Sequence, residues 1–403
     1  RWIQSPLVYT LSISVYCTSW TFFGSVGTAS HAGLEFLTIY IGPVLLFSLG
    51  YPLLRRVIRL AKSERITSIA DFIAARYGKS QPVAAVVAII AVIGVIPYIA
   101  LQLKAVSLSV TTMVARFDLP ASAAHLPWLN DITLVIAIGM AIFAALFGTR
   151  HIDATEHQEG LMLAIAAEAV VKLVAFLTIG IWVTYWVYDG PGEMVSKMAA
   201  DPQVMEVMTG ELAGGNWVVM TLLSFFAVIL LPRQFHVTVT ENNSGAELRR
   251  ATWLFPLYLV AINLFVVPIA AAGMLLLSPS VNPDTYVLAL PIAFESPWLA
   301  LFAFIGGLSA ATAMVIVATV ALAIMISNDL VMPLVLRRSS EDTVIASKGE
   351  DMSRLLLLIR RVSIFLTLLL AYAYFRAAGD TAAARRMCGA GQQAHGGATR
   401  SPT

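Results

Sequence analysis

Charged residues are scarce in this sequence of 403 residues, at 12%, against about 25% in a typical soluble domain. Cysteine is nearly missing too: Cys17 and Cys388 are the only two, which excludes a disulfide-stabilised secreted scaffold. Lys and Arg (26) almost balance Asp and Glu (24), so no basic surface for nucleic acid is expected. Hydrophobic residues make up 58%, and the mean hydropathy is +0.80. These features indicate an all-α multi-span membrane protein whose first partner is the lipid bilayer.

Signatures of catalysis are also missing from the sequence. No glycine-rich loop is followed by a phosphate-binding lysine, no spacing suits a metal site, and no nucleophile stands near a base. We therefore expect no catalytic module and no cofactor. The six histidines are scattered and are interpreted as surface or loop residues: His31, His125, His151, His157, His236 and His395.

Long apolar runs fill most of the chain. A helix needs about 20 apolar residues to cross the hydrocarbon core. Nine runs of roughly this kind are predicted to span the membrane, at residues 7–29, 34–54, 83–114, 132–147, 161–187, 217–231, 253–277, 298–326 and 355–375.

The positive charges between these runs orient the chain. Lys and Arg concentrate in the loops after the second, fourth, sixth and eighth runs, where Arg233 is counted as a loop cation, whereas the opposite loops carry only Arg116 and Lys197. Because positively charged short loops stay in the cytoplasm, the first span is predicted to start inside. We expect a multi-pass protein of a bacterial inner membrane.

The two ends of the chain differ from the rest. The first residue is Arg1 rather than Met, and the residues after Arg376 lack helical periodicity and aromatic anchors. We expect a transporter-like transmembrane domain over residues 1–376, and a disordered or artefactual tail over 377–403 that reflects truncation or a shifted reading frame.

The first run is polar at mid-depth. Ser14, Cys17, Ser19 and Trp20 lie in the stretch SVYCTSWTFFGSVGTASHAG. Small hydroxyl residues and glycines allow a membrane helix to unwind and expose its carbonyl groups to an ion or a solute. Close packing between helices is an equally good interpretation of the small residues.

The eighth run carries hydroxyls at helical spacing. Ser309 and Thr312 lie three residues apart, on one helix face, where they could complete an oxygen cage for a small hard cation. The alternative is that each hydroxyl bonds to the backbone one turn earlier. Asp329, at the inner end of this run, is interpreted as a capping or cytoplasmic residue.

Ionisable and amide groups also occur inside two other runs. Glu168 and Lys172 lie four residues apart in the fifth run, where buried charges are costly and therefore candidates for function. They are predicted to form either a proton path or a structural ion pair. In the third run Pro97 should kink the helix, so that Gln102 could reach a cavity.

The odd number of crossings in half the chain predicts an inverted repeat. If the first repeat covers residues 7–187, the second, at 217–375, enters the membrane upside down. Such repeats bind substrate between the first helices of the two halves. Ser224 and Phe225, at the middle of the sixth run, then join Ser19, Trp20 and Gln102 as candidate solute-binding residues.

Four motifs resemble the sodium/solute symporter family, which includes the sodium/proline symporter and the sodium/glucose transporters. They are CTSWTFFGSVGTASHAG, ERITSIADFIAARYG, DATEHQEGLM and LSAATAMVIVATVALAIMISNDL. IPYIALQLKAVS and LPRQFHVTVTEN are similar to the symporter-like domain at the N-terminus of CbrA-type bacterial sensor histidine kinases. The resemblance implies a LeuT-like five-plus-five inverted repeat, here lacking the leading and tenth core helices.

The resemblance also implies a site and a function. The family's sodium site would draw on carbonyls near Ser14 and Cys17 and on two hydroxyls of the eighth run. The residues aligned with those hydroxyls are Ala313 and Met314, so Ser309 and Thr312 serve only after a shift of register. We expect symport of a small amino-acid-like solute such as histidine or proline, coupled to sodium or protons. The alternative is a transport-vestigial sensor domain that signals to cytoplasmic kinase domains.

Overall fold

The computed structural model describes residues 5–116, 131–148, 159–210, 214–339 and 349–397, and within these ranges every regular element is helical. The α-helices are α1 Pro6–Ile13, α2 Ser25–Ala32, α3 Thr38–Ser48, α4 Tyr51–Ser63, α5 Ile69–Arg76, α6 Gln81–Arg116, α7 Ile132–Gly148, α8 Glu159–Trp182, α9 Pro191–Ala200, α10 Pro202–Thr209, α11 Gly214–Leu230, α12 Pro232–Phe235, α13 Gly245–Asn263, α14 Val266–Leu276, α15 Tyr286–Ala293, α16 Pro297–Met325, α17 Met332–Ser339 and α18 Gly349–Gly397.

Six of the described helical segments are long and apolar enough to cross a membrane. They are Trp20–Ser48, Gln81–Val114, Gly160–Val187, Gly245–Leu276, Pro297–Val335 and Arg354–Ala378. The bent pair Gly215–Leu230 and Pro232–Thr240 makes a seventh, and Pro6–Tyr16 and Ile132–Leu146 are shorter apolar helices. The nine predicted runs all fall on these helices. The bounds differ most for the first two runs, because the helix breaks inside the first run and its second half continues into the second run as the segment Trp20–Ser48.

The first span is broken, as its polar centre predicts. After α1 the chain tightens into a 3₁₀ turn at Ser14–Tyr16, and Cys17 is extended, with φ −79° and ψ 101°. Helical structure resumes as a wide π turn at Trp20–Gly24 and continues into α2. A residue with extended torsions cannot continue the ladder of helical hydrogen bonds, so carbonyl groups at this point are freed for other partners.

The sixth span is broken as well, and here the sequence-based boundary is wrong. The predicted run stops at residue 231, but α12 and a π turn at His236–Thr240 extend the apolar segment after a bend of 56°. Pro232 explains the bend, because a proline leaves the preceding Leu231 in extended torsions, with φ −68° and ψ 127°. Arg233, predicted to be a loop cation, is 3% exposed.

Helix α16 lies at the centre of the bundle, because all its residues over 310–325 except Thr312 are buried. It packs against the first span through two glycines. A Cβ atom on Gly306 would lie 2.5 Å from Ala175 Cβ and 2.8 Å from Phe22 Cζ, and one on Gly307 would collide with Phe23. The eighth span is therefore in close contact with the first, and this contact depends on the absence of a side chain at both glycines.

Two predictions about the limits of the chain stay predictions. The last helix, α18, has its bounds at Gly349–Gly397, and residues 398–403 lie outside the described part. The division into a domain at 1–376 and a tail at 377–403 is not tested by these bounds.

Candidate functional site

The carbonyl groups freed at the first break bind a lysine from α8. Lys172 Nζ donates to Ser14 O at 2.8 Å and to Cys17 O at 2.6 Å. Lys172 is 1% exposed, and Ser14 and Cys17 are fully buried. The carbonyl groups at the end of a half-helix carry partial negative charge, so an ammonium is well matched to this position.

The hydroxyls of the eighth span, on α16, contact α8 at Glu168, one turn away from Lys172. Ser309 Oγ donates to Glu168 O at 3.0 Å, and Thr312 Oγ1 lies 3.3 Å from Glu168 Oε1. Thr312 Oγ1 also donates to Leu308 O, one turn earlier on α16, at 3.0 Å. The alternative, that the hydroxyl bonds to the preceding turn of its own helix, is therefore correct in part for Thr312. The candidate ion-binding residues therefore meet around α8, and their role in binding an ion stays a prediction.

Four hydrogen bonds link the first, third and sixth spans in pairs. Gln102 Oε1 of α6 accepts from Ser19 Oγ at 2.5 Å and from Ser19 N at 3.2 Å. The sixth span joins the third where Arg233 Nη2 donates to Tyr98 Oη at 3.1 Å. The sixth also joins the first, through Gln234 Nε2 and Ile13 O at 3.1 Å. Both broken helices thus converge on the same face of α6.

Unused hydrogen-bonding capacity is concentrated at this junction. Among the described residues, Arg233 Nε and Nη1, Gln102 Nε2, Gln234 Oε1 and Ser14 Oγ have no hydrogen-bond partner although they are buried. The guanidinium of Arg233 lies 4.5 Å above the Tyr98 ring. Buried polar groups are normally paired, and an unpaired buried charge costs several kcal/mol. Unpaired groups that cluster at one place indicate a binding site.

A small cavity lies beside this junction. Ser19, Trp20 and Gly24 of the first span line it, together with Lys104 of α6 and Asp284. The pKa of the Asp284 carboxyl is raised by burial, against the opposing charges of Lys104 and His31. The cavity therefore presents an aromatic ring, a cation and an acid to whatever enters it.

The structure brings together three of the five candidate solute residues and separates two. Ser19, Trp20 and Gln102 lie at the junction and its cavity. Ser224 instead donates to Thr38 O at 2.8 Å, and its oxygen occupies the space beside Gly42 of α3. Phe225 borders an apolar groove with α3 residues. The sixth span contributes Arg233 and Gln234 at its break rather than the middle of α11.

Arg233 and Gln234 are the site residues that the sequence analysis did not select. A usable signal was present, because Pro232 interrupts an apolar run and is followed by two strongly polar residues. The same error affected His236, which is not a surface or loop residue. It is 4% exposed, and its Nε2 lies 3.4 Å from Glu241 Oε1.

Asp329 lies at the inner end of the eighth span, as predicted, but it is only 8% exposed. It accepts from Ser68 Oγ, the N-cap of α5, at 3.3 Å. No group of three or more His, Cys, Asp or Glu side chains able to hold a metal occurs among the described residues.

Comparison with known proteins agrees with this architecture. No family model matches the sequence. The chain is 24% identical over 318 residues to the uncharacterised symporter YhjB of Bacillus subtilis (strain 168), an alignment that covers 77% of this chain and 59% of YhjB. The chain thus spans about three fifths of the length of this relative.

A solved structure of a Na⁺-coupled sialic acid symporter in a substrate-bound, outward-open state has a similar fold, with a TM-score of 0.64 at 14% identity. The similarity covers 93% of this chain and 74% of the symporter. Discontinuous helices in corresponding positions of two halves, as in the first and sixth spans here, are typical of inverted-repeat transporters. The chain is therefore a multi-pass membrane protein with the LeuT-like, five-plus-five inverted-repeat fold of a symporter.

Proposed function

We propose that this chain binds and transports a small, carboxylate-bearing, amino-acid-like solute across the bacterial plasma membrane by alternating access. The observation that carries the proposal is the set of unpaired buried groups where the two broken helices meet α6. The symporter YhjB and the fold support transport as the class of function. Histidine and proline remain the first solutes to test.

Arg233 supports a carboxylate on the solute. A guanidinium stays charged at any accessible pH and binds carboxylates through charge-assisted hydrogen bonds. Two of its nitrogens lack a partner among the described residues. Lys172 adds a second buried cation near the same junction. A solute carboxylate would supply the missing acceptor, and Gln102 Nε2 would supply one more donor.

The remaining features of the site suit the rest of an amino acid. Trp20 presents an aromatic surface to the cavity, against which a ring or an apolar side chain can pack. Asp284, in the same cavity, is an acceptor for an ammonium group that approaches from outside. Rocking of one repeat against the other would then open this junction alternately to the two sides.

Uptake of labelled histidine and proline into proteoliposomes, together with solute binding in detergent, tests the proposal. Arg233→Gln should weaken binding at least about 10-fold, since charged hydrogen bonds contribute about 1.5–3 kcal/mol. The matched control is Arg250→Gln, because Arg250 is exposed on α13. Equal binding by both variants would exclude Arg233 from the solute site.

The same experiment separates transport from sensing. A transport-vestigial sensor would bind the solute and change conformation without moving it, since occupancy alone can shift a two-state equilibrium. Binding that depends on Arg233 without any uptake would therefore favour the sensor function. Uptake against a gradient would favour transport.

A further inference from the structure

The first break exposes a ready-made cation site. Ser14 and Cys17 direct two main-chain oxygens to one point, at the end of the half-helix formed by α1 and the turn Ser14–Tyr16. In transporters with broken helices, unwound carbonyls and half-helix C-terminal ends coordinate the coupling cation. In this chain, the point is 2.8 Å and 2.6 Å from those oxygens and is occupied by Lys172 Nζ.

The groups that could complete an oxygen cage also bind to α8. Ser309 donates to the main chain of Glu168, and Thr312 faces the Glu168 carboxylate. Lys172 and Glu168 lie one helical turn apart on α8. The same helix therefore contacts both the first break and α16. The ammonium binds carbonyl groups at the break, while the Glu168 carboxylate faces the Thr312 hydroxyl of α16.

A sodium ion would be unfavourable here for two reasons. The ammonium already uses the carbonyl lone pairs, and a second cation within about 4 Å of it would be strongly repelled at low dielectric. The site is also dry, because Lys172 is 1% exposed and its two acceptor residues are fully buried. Removal of the whole lysine side chain would free the carbonyl groups, end the repulsion and leave room for an ion.

We propose that the Lys172 ammonium is a built-in cation that takes the place of a coupling sodium ion at the first break. Solute binding by this chain is then independent of sodium. The proposal rests on the proposed function only for its consequence for solute binding. The occupancy of the cation site is a separate property, and it can be measured without any solute.

Thermal unfolding of the purified chain in detergent tests this occupancy, with sodium chloride compared with choline chloride. A cation that binds only the folded state raises the midpoint. The wild type should show no sodium-specific shift. Lys172→Ala, which vacates the cage, should unfold at a lower temperature in choline and regain about 2 °C or more in about 100 mM sodium.

Lys172→Met and Lys197→Ala are the matched controls. Methionine removes the charge but keeps most of the side-chain volume, so the Lys172→Met protein should be destabilised without a response to sodium. Lys197 lies on the exposed helix α9 and should behave as the wild type. A sodium-specific rise in the wild-type midpoint would overturn the proposal, even if neither Lys172 variant folds. Equal responses of the Ala and Met variants would overturn it too.

Histidine and proline binding, measured in both salts, links this result to the proposed function. Equal binding in sodium and choline supports a built-in cation, and binding that requires sodium contradicts it. Failure to bind either solute would count against the proposed solute class, while the unfolding experiment would still decide what occupies the cation site.

Discussion

The two broken helices differ in how their freed groups are satisfied. At the first break, the exposed carbonyls accept hydrogen bonds from Lys172, a side chain of the same protein. At the sixth-span break, Arg233 and Gln234 retain unpaired atoms among the described residues. The freed carbonyls of the first break are satisfied internally and make it a structural element, whereas we propose that the unpaired side-chain groups at the second are prepared for a ligand. The predictions below test this difference, beginning with the largest effect.

Solute binding should respond most strongly to a change at the unsatisfied break. Arg233→Met removes the proposed anchor for a carboxylate, and we expect a loss of about 10- to 100-fold in affinity. Stability should change by less than about 1 kcal/mol, because the cost of burying an unpaired charge is removed at the same time. Calorimetric binding and thermal unfolding measure the two effects, and a large loss of stability with unchanged affinity would reverse the assignment.

Stability should respond most strongly to a change at the satisfied break. Lys172→Met leaves two buried carbonyls without their donor, and each unsatisfied group costs about 1–3 kcal/mol. We therefore expect a loss of about 2–4 kcal/mol in the free energy of unfolding, read from denaturation in mixed micelles. A Lys172→Met protein as stable as the Lys197→Met control would show that the carbonyls do not need the ammonium.

The packing that holds the first break in place gives a slightly smaller effect. Gly306→Ala puts a methyl group against Ala175 and Phe22, and overpacking typically costs about 1–3 kcal/mol. Gly94→Ala, on α6, is a suitable comparison because no atom lies within 4 Å of its added Cβ. The difference between the two melting temperatures measures the contact, and equal values would argue against close packing of α16 on the first span.

The hydroxyl contacts to α8 should be weaker still. Thr312→Val removes the contact with the Glu168 carboxylate at nearly constant volume. We expect about 1 kcal/mol of destabilisation, since the threonine also bonds to its own backbone. Thr178→Val, which loses only an exposed backbone bond on α8, is the control for thermal unfolding. Sodium-coupled uptake lost in Thr312→Val would instead support the predicted cation cage.

The smallest effect is expected at an ion pair far from both breaks. The pKa of Asp131 is lowered: burial opposes this, but hydrogen bonds from Tyr372 and Leu134 and the charge of Arg376 outweigh it. Because the pKa of this carboxyl is lower in the folded state, its carboxylate form adds stability at pH values above the unfolded-state pKa of about 3.9. This stability is lost as the pH falls through the folded-state pKa. Because the pair is solvent-exposed, we expect only a few tenths of a kcal/mol.

Comparison of the wild type with Asp131→Asn measures this effect. Their melting temperatures should differ slightly near pH 6 and converge below about pH 4. A difference that persists in acid would mean that the carboxylate charge is not its source.

Part of the site could be predicted because its signal is local. Ser14 and Cys17 mark a polar, breakable segment, and the i, i+3 spacing of Ser309 and Thr312 places them on one face. Both pairs meet around α8 in the structure. The sixth-span break was missed because Pro232 was treated as the end of an apolar run. Ser224 was selected instead because it lies in the middle of that run, but its hydroxyl donates to Thr38 O of α3.

The sequence alone determined the solvent of this protein, since an apolar composition interrupted by few charges suits only a lipid bilayer. It also determined where one helix breaks, because that depends on residues adjacent along the chain. Only the tertiary structure decided that Lys172 binds the first break and that two nitrogens of Arg233 lack a partner, among the described residues, at the second. Hydrogen bonds between residues more than 100 positions apart depend on how the helices pack, and helical periodicity within one segment carries no information about that packing.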